Sequence, residues 1–299
     1  MMHINNFRFG FIAVTGRPNV GKSTLMNHLI GEKAAIISSK PQTTRNQIQG
    51  IITGLDYQAA FIDTPGIIEP KSKLDGYMAK SAESALDGAD VVLFMTEADA
   101  KNIEKDLEII GRFKKINAPV FLILNKIDKR SKTNLLAVIE KYKSFYNFKE
   151  IIPLSALTGE NTDRLLNLIR GHLPEGPPYF PEDHYTDQHE RQIVSEIIRE
   201  KALLHLQDEI PHGIAVEILK FKQKDNLVEI EATIYCEKES HKGMIIGKQG
   251  VMLKKIGQAA RVEIEQLLDT KIFLETWVKV KKNWRNDEFF LKSIGYGKR

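Results

Sequence analysis

Residues 16–24 read GRPNVGKST and fit the spacing G-x-x-x-x-G-K-[ST] at Gly16, Gly21, Lys22 and Ser23. Glycines so placed let backbone N–H groups turn inward around an anion. The lysine can bridge neighbouring phosphates, and the hydroxyl can ligate a hard divalent cation. That is the chemistry of a loop cradling a nucleoside triphosphate. It puts Gly16, Asn19, Val20, Gly21, Lys22, Ser23 and Thr24 around the phosphate chain, Lys22 at the β and γ phosphates and Ser23 on magnesium.

The loop alone selects neither base nor reaction; three later segments do. In DTPG, Asp63 can hold magnesium through a water and the Gly66 N–H can sense the γ-phosphate. In NKID, the Asp128 carboxylate can accept both N1–H and the 2-amino group of guanine, a donor pair that adenine lacks. Lys126 can lay its stem along the base while Asn125 braces the loop. In SAL, Ser155 precedes Ala156, whose backbone N–H can reach guanine O6. The ligands expected are therefore GTP or GDP with Mg2+.

These residues must be held by strands and helices in alternation. RFGFIAV, NQIQGIIT, QAAFID, DVVLFMT, PVFLILN and EIIPLS read as strands, separated by helical segments such as KSTLMNHLI, KLDGYMAKSAESAL and LLAVIEKYKSFY. The pattern predicts an α/β domain over residues 1–173, a six-stranded, mainly parallel sheet with helices on both faces. Four prolines (Pro174, Pro177, Pro178 and Pro181) then mark residues 174–187 as a semi-rigid linker. Residues 188–299 run helix, two strands, two helices flanking a loop, and strand, an α+β domain.

The loop between those two helices reads GMIIGKQG. It lacks the spacing of the first and follows no strand, so it is not a second triphosphate loop. Gly247 and Gly250 allow close approach of an anion, Lys248 brings charge, and the next helix aims its N-terminus at the loop. Between Ser240 and Val262 stand Lys242, Lys248, Lys254, Lys255 and Arg261 with no acid, on a chain of net charge +4. A tight helix–helix turn would also use G-x-x-G. The domain order and the basic window favour the clamp that a KH module closes on single-stranded RNA, formed here by Gly247, Lys248, Gln249, Gly250, Ile246, Lys242, Lys254 and Lys255. Ile245, Ile246, Val251, Leu253 and Ile256 are expected as an apolar wall for bases. Trp284, beyond the last strand, is open as a stacking partner, whereas for Trp277, inside that strand, an ordinary strand position is the stronger reading; the histidines show no zinc spacing with the single cysteine, Cys236.

One cysteine excludes a disulfide framework and suits a reducing compartment. No apolar run approaches the length of a membrane span, and the short N-terminal one reads as a strand.

GRPNVGKST, KPQTTRNQ, DTPGI, NKID and SAL together resemble the translation-factor-related class of small GTPases, over residues 8–172. By that resemblance Thr44, with Thr43 as the alternative, ligates magnesium in a switch segment, and Asp63, Gly66 and Ile67 form the second switch. Ile67 stands where Ras-type enzymes carry a water-orienting glutamine, and its side chain cannot hydrogen-bond water. Slow intrinsic hydrolysis is therefore expected. The resemblance also makes Asn19 a candidate potassium ligand, against the plainer reading of an asparagine suited to a turn.

A single GTPase domain, a proline-rich linker, a type II KH domain and the ending NWRNDEFFLKSIGYG resemble the Era-type bacterial GTPases of small-subunit ribosome assembly over essentially the whole chain. The class with two tandem GTPase domains is excluded by the single triphosphate loop. The resemblance implies a cytoplasmic switch that binds the 3′ end of 16S ribosomal RNA and acts on the 30S subunit, with some peripheral contact at the inner face of the cell membrane. A monomer is expected. The alternatives are a GTP-dependent scaffold and a membrane or stress-signalling GTPase whose KH-like domain binds protein.

Overall fold

Strands that are apolar on both faces must be covered on both, and the alternation of side chains along each strand decides which core a residue joins. The structure is a computed structural model. It describes residues 7–31, 48–65, 70–99, 102–129, 132–182, 184–186, 189–206 and 213–296. Strands β1 (Arg8–Gly16), β2 (Ile48–Thr53), β3 (Tyr57–Asp63), β4 (Val91–Glu97), β5 (Val120–Asn125) and β6 (Glu150–Pro153) form one sheet in the order β2-β3-β1-β4-β5-β6. Only the β2–β3 pair is antiparallel.

Ile12 and Val14 of β1 join Leu93, Met95, Phe121 and Ile123 on one face. That core is capped by Leu25 and Met26 of α1 (Lys22–Ile30) and Leu165 and Ile169 of α5 (Thr162–His172). Ala13, Val92, Phe94, Leu122 and Leu124 face the other way, onto Ile109 and Ile110 of α3 (Ile103–Arg112) and Val138 and Tyr142 of α4 (Lys132–Lys143). Ala85 and Leu86 of α2 (Lys73–Asp87) complete that side. Because β1, β3, β5 and β6 are parallel, Gly16, Asp63, Asn125 and the residues after Pro153 all emerge at one edge of the sheet. In such folds that edge carries the ligand.

The chain divides into two compact units, the first continuing through Asp187. The proline-rich segment is accordingly hydrogen-bonded along its length to the first unit. Phe9 N donates to Pro174 O (3.1 Å), Gly176 N to Phe7 O (2.9 Å) and Ile51 N to Tyr185 O (2.9 Å). Gln58, fully buried, grips the middle. Its Oε1 accepts from Tyr179 N (2.9 Å) and Phe180 N (2.8 Å), and its Nε2 donates to Phe180 O (3.0 Å) and Thr53 Oγ1 (3.0 Å). The Tyr179 ring stacks on Phe9 at 5.2 Å.

The second unit, built mainly from Gln188–Arg299, has α6 (Glu190–His205), β7 (Ala215–Lys224), β8 (Leu227–Cys236), α7 (Glu239–Ile246), α8 (Val251–Leu268), β9 (Lys271–Val280) and α9 (Glu288–Ser293). Its sheet runs β7-β8-β9, antiparallel then parallel. One face carries the core: Val228, Ile230, Ala232 and Ile234 of β8 pack on Ile193, Val194, Ile197 and Ile198 of α6 and Ile256, Ala260 and Ile264 of α8. On the other face Phe273 and Trp277 are 52% and 57% exposed. Trp284 is buried, with its indole N–H donating to Gly213 O at 2.9 Å, so it serves the core rather than base stacking.

Candidate functional sites

The first site grows from the turn between β1 and α1. Gly16 has φ 146° and Gly21 φ 105°. A Cβ on Gly16 would lie 2.1 Å from the Met95 carbonyl oxygen, and one on Gly21 2.4 Å from Asn125 Nδ2. The loop thus needs glycine for space as well as for conformation. Between them Asn19 is exposed with φ 63°, a left-handed conformation that asparagine tolerates. Val20 is buried. Lys22 is 7% exposed, and its ammonium donates to Gly16 O (3.2 Å) and Arg17 O (3.1 Å). Burial pushes its pKa down; the Asp63 carboxylate opposes that shift and the Arg17 guanidinium adds to it. An incoming phosphate chain would repay this desolvation.

Ser23 Oγ donates to Asp63 Oδ2 at 2.6 Å, and Asp63 is fully buried. A hydroxyl and a carboxylate oxygen held face to face beside a phosphate loop are hard donors of the kind magnesium takes. The residues present fit that ion, which would polarise the phosphate oxygens. Thr43, Thr44, Gly66 and Ile67 lie outside the described residues.

The loops after β5 and β6 are tied to the phosphate loop. Asn125, 3% exposed, donates from Nδ2 to Val20 O (2.7 Å) and accepts at Oδ1 from Ala156 N (2.9 Å). Asn125 thus joins the phosphate loop to the loop after β6. The Ala156 N–H expected to face guanine O6 is engaged by Asn125, so a contact with O6 would have to be shared with that bond. Ser155 Oγ donates to Asp128 Oδ1 (2.7 Å), holding an exposed carboxylate by one oxygen. Lys126 adopts φ 64°, costly for a residue with a long side chain. Its ammonium donates to Asn19 O at 2.9 Å and pairs with Glu97 at the end of β4. Glu97 was not legible in the sequence, where no motif includes it.

The second site is the turn between α7 and α8. Gly247, Gln249 and Gly250 have φ 74°, 52° and 79°. Gly247 closes α7 through its N–H to Gly243 O (2.8 Å), and Gly250 opens α8. Lys248 and Gln249 project into solvent, as do Lys254 and Lys255 one turn further along α8; Lys242 of α7 is half-buried. One expectation needs correction. Ile245 and Ile256 are fully buried in the core of the second unit. Ile246 and Leu253 are half-buried and Val251 is 65% exposed, as is Met244 at 52%, a residue that no sequence motif singled out. Nearby, burial and then the charges of Lys255 and Lys201 push the His205 imidazole below its ordinary pKa, an electrostatic mark of the basic face.

Comparison with known proteins matches both halves. The family described as "50S ribosome-binding GTPase" matches residues 11–126, and the KH domain family matches residues 209–285. The fold and sites thus define a P-loop GTPase carrying a KH domain. GTPase Era of Ruminiclostridium cellulolyticum is 56% identical over 97% of this chain and 98% of its own length. GTPase Era of Clostridium tetani is 54% identical over 97% and 99%. The crystal structure of a point variant of Aquifex aeolicus Era bound to GDP.AlF4- superposes with a TM-score of 0.94 at 42% identity, covering 98% of this chain and all of that one. Era in complex with MgGDPNP and nucleotides 1506–1542 of 16S ribosomal RNA gives the same TM-score, identity and coverage. The chain belongs to the Era family of GTPases.

Proposed function

We propose that this chain is a GTP-driven switch that binds the 3′ end of 16S ribosomal RNA during assembly of the 30S subunit. In this reading residues 1–173 bind and hydrolyse GTP, 174–187 join the halves, and 188–299 hold RNA through the Gly247–Gly250 loop. The observation that carries it is the full-length likeness to an Era solved with both MgGDPNP and a 16S segment, joined to a solvent-facing Lys248–Gln249 pair on a positive-φ turn. Gly16, Asn19, Val20, Gly21, Lys22, Ser23, Thr24 and Gly66 take the phosphates; Asn125, Lys126, Asp128, Ser155 and Ala156 take guanine. Thr44 joins Ser23 and Asp63 at magnesium. With Ile67 beside the second switch, intrinsic turnover is slow, and Asn19 takes potassium through its side chain.

The switch acts on the RNA site by linkage, so an RNA that prefers the GTP state must tighten GTP binding by the same factor. Fluorescence anisotropy of 16S 3′-end RNA, against a scrambled control, in GDP and in a non-hydrolysable GTP analogue, tests this on the whole protein. Selective binding that strengthens with the analogue is expected. Equal weak binding to both RNAs would point to a protein partner for the second unit. Hydrolysis rates equal in sodium and potassium would remove the potassium role.

The chain works as a monomer in the cytoplasm, with a minor fraction held peripherally at the inner face of the membrane. No helix among the described residues is long and apolar enough to cross a membrane; flotation with anionic vesicles checks the peripheral fraction.

A further inference from the structure

We propose that Arg17 is a positioning residue for the phosphate loop: its guanidinium, locked onto a buried carboxylate, fixes the carbonyls that seat Lys22. The second half of the loop is already anchored, since Asn19 O accepts from Lys126 and Val20 O from Asn125. The first half leaves β1 at Gly16, which pairs with Met95 of β4, and among the described residues the loops after β5 and β6 make no such tie to Gly16 or Arg17. Arg17 supplies the tie. Its Nε donates to Asp106 Oδ1 at 2.7 Å and its terminal nitrogen to Thr96 Oγ1 at 3.2 Å. Asp106, on α3, is fully buried, and its other oxygen accepts from Thr96 Oγ1 (2.9 Å) and Tyr142 OH (2.6 Å).

β4, α3 and α4 therefore converge on one carboxylate and hold it rigidly, and the cation that neutralises it comes from the loop itself. A buried pair of this kind is costly to break from one side, so the Arg17 backbone is held in place. Its carbonyl, with that of Gly16, receives the Lys22 ammonium. With the guanidinium spent on Asp106 and Thr96, Arg17 acts through Lys22 rather than on the nucleotide. The anchor should govern the part of affinity that Lys22 contributes, namely recognition of the β-phosphate, which GDP has and GMP lacks.

The test is competition of GDP and GMP against a fluorescent GDP on the full chain, with thermal unfolding in parallel. Arg17→Ala is expected to weaken GDP at least about tenfold while GMP moves by less than about twofold, so the GDP:GMP preference collapses. Arg17→Lys keeps the charge and one donor and should recover part of the preference. Tyr142→Phe removes a donor from the same carboxylate without touching Arg17; it should lower the melting temperature while moving the preference far less than Arg17→Ala does. A variant of Arg17 that melts earlier but keeps the wild-type GDP:GMP ratio would overturn the proposal. Should Arg17→Ala not fold, Arg17→Lys decides: a wild-type ratio overturns the proposal, and a reduced one supports it.

Discussion

The two glycine loops of this protein use the same residue types to opposite ends. At Gly16 and Gly21 a methyl group would strike a carbonyl oxygen and a side-chain amide; in the second loop one on Gly247 would lie 2.7 Å from the Met252 Cβ, while at Gly250 it would meet nothing within 4 Å. Lys22 is buried against backbone carbonyls; Lys248 stands in solvent. The first loop is tightly enclosed, which suits a ligand of fixed length and would favour one phosphate chain over others. In the proposed reading the second is more open because a polymer would enter and leave it sideways, through contacts that a passing backbone can make. What distinguishes a nucleotide loop from a nucleic-acid loop here is enclosure, more than glycine or lysine.

The contrast can be broken most directly at the glycines. Gly16→Ala should reduce GDP affinity by at least about a hundredfold, because the loop must move by ångströms; titration of a fluorescent GDP measures it. Gly250→Ala carries only the cost of a left-handed alanine, roughly 1–2 kcal/mol, and should leave GDP binding untouched. Equal effects would mean that the first loop is as open as the second. Next in size, Lys248→Asp with Gln249→Asp should lower RNA affinity at least about tenfold and flatten its salt dependence, again with GDP unaffected. Anisotropy across a salt series would show this. Ser155→Ala removes the hydroxyl that orients Asp128 and should weaken GDP about fivefold, read by the same nucleotide titration.

The smallest effect concerns His205. Its pKa is held down by burial and by Lys255 and Lys201. An RNA phosphate near Lys255 would offset that charge and raise the pKa, so binding takes up a proton and affinity rises as pH falls through the histidine range, by about twofold. An NMR titration of His205 with and without RNA checks it; an unmoved titration curve would separate α6 from the RNA face.

Much of this was legible in the sequence because motifs write chemistry at fixed spacing. Gly16, Lys22, Ser23, Asp63, Asn125 and Asp128 are each named by a pattern, and strand alternation delivered both sheets. What escaped were residues whose role comes from their neighbours in space. Asp106 occupies a buried position in an apolar stripe with Ile103, Ile109 and Ile110. A carboxylate there is itself a signal, but its partner Arg17 lies far away in sequence. Ile245 and Ile256 were misread because loop-flanking position cannot tell a wall from a core. Trp284 looked like a candidate for stacking until Gly213 claimed its N–H.

Gln58 has a practical consequence for dividing the molecule. Three of its four side-chain hydrogen bonds go to residues 179 and 180. A fragment stopped at Leu173, before the prolines, would strand a buried amide and uncover Phe9, at about 1–3 kcal/mol for each polar group left without a partner. A fragment kept to Asp187 would retain every one of those bonds. The place to cut this protein therefore lies beyond its proline run.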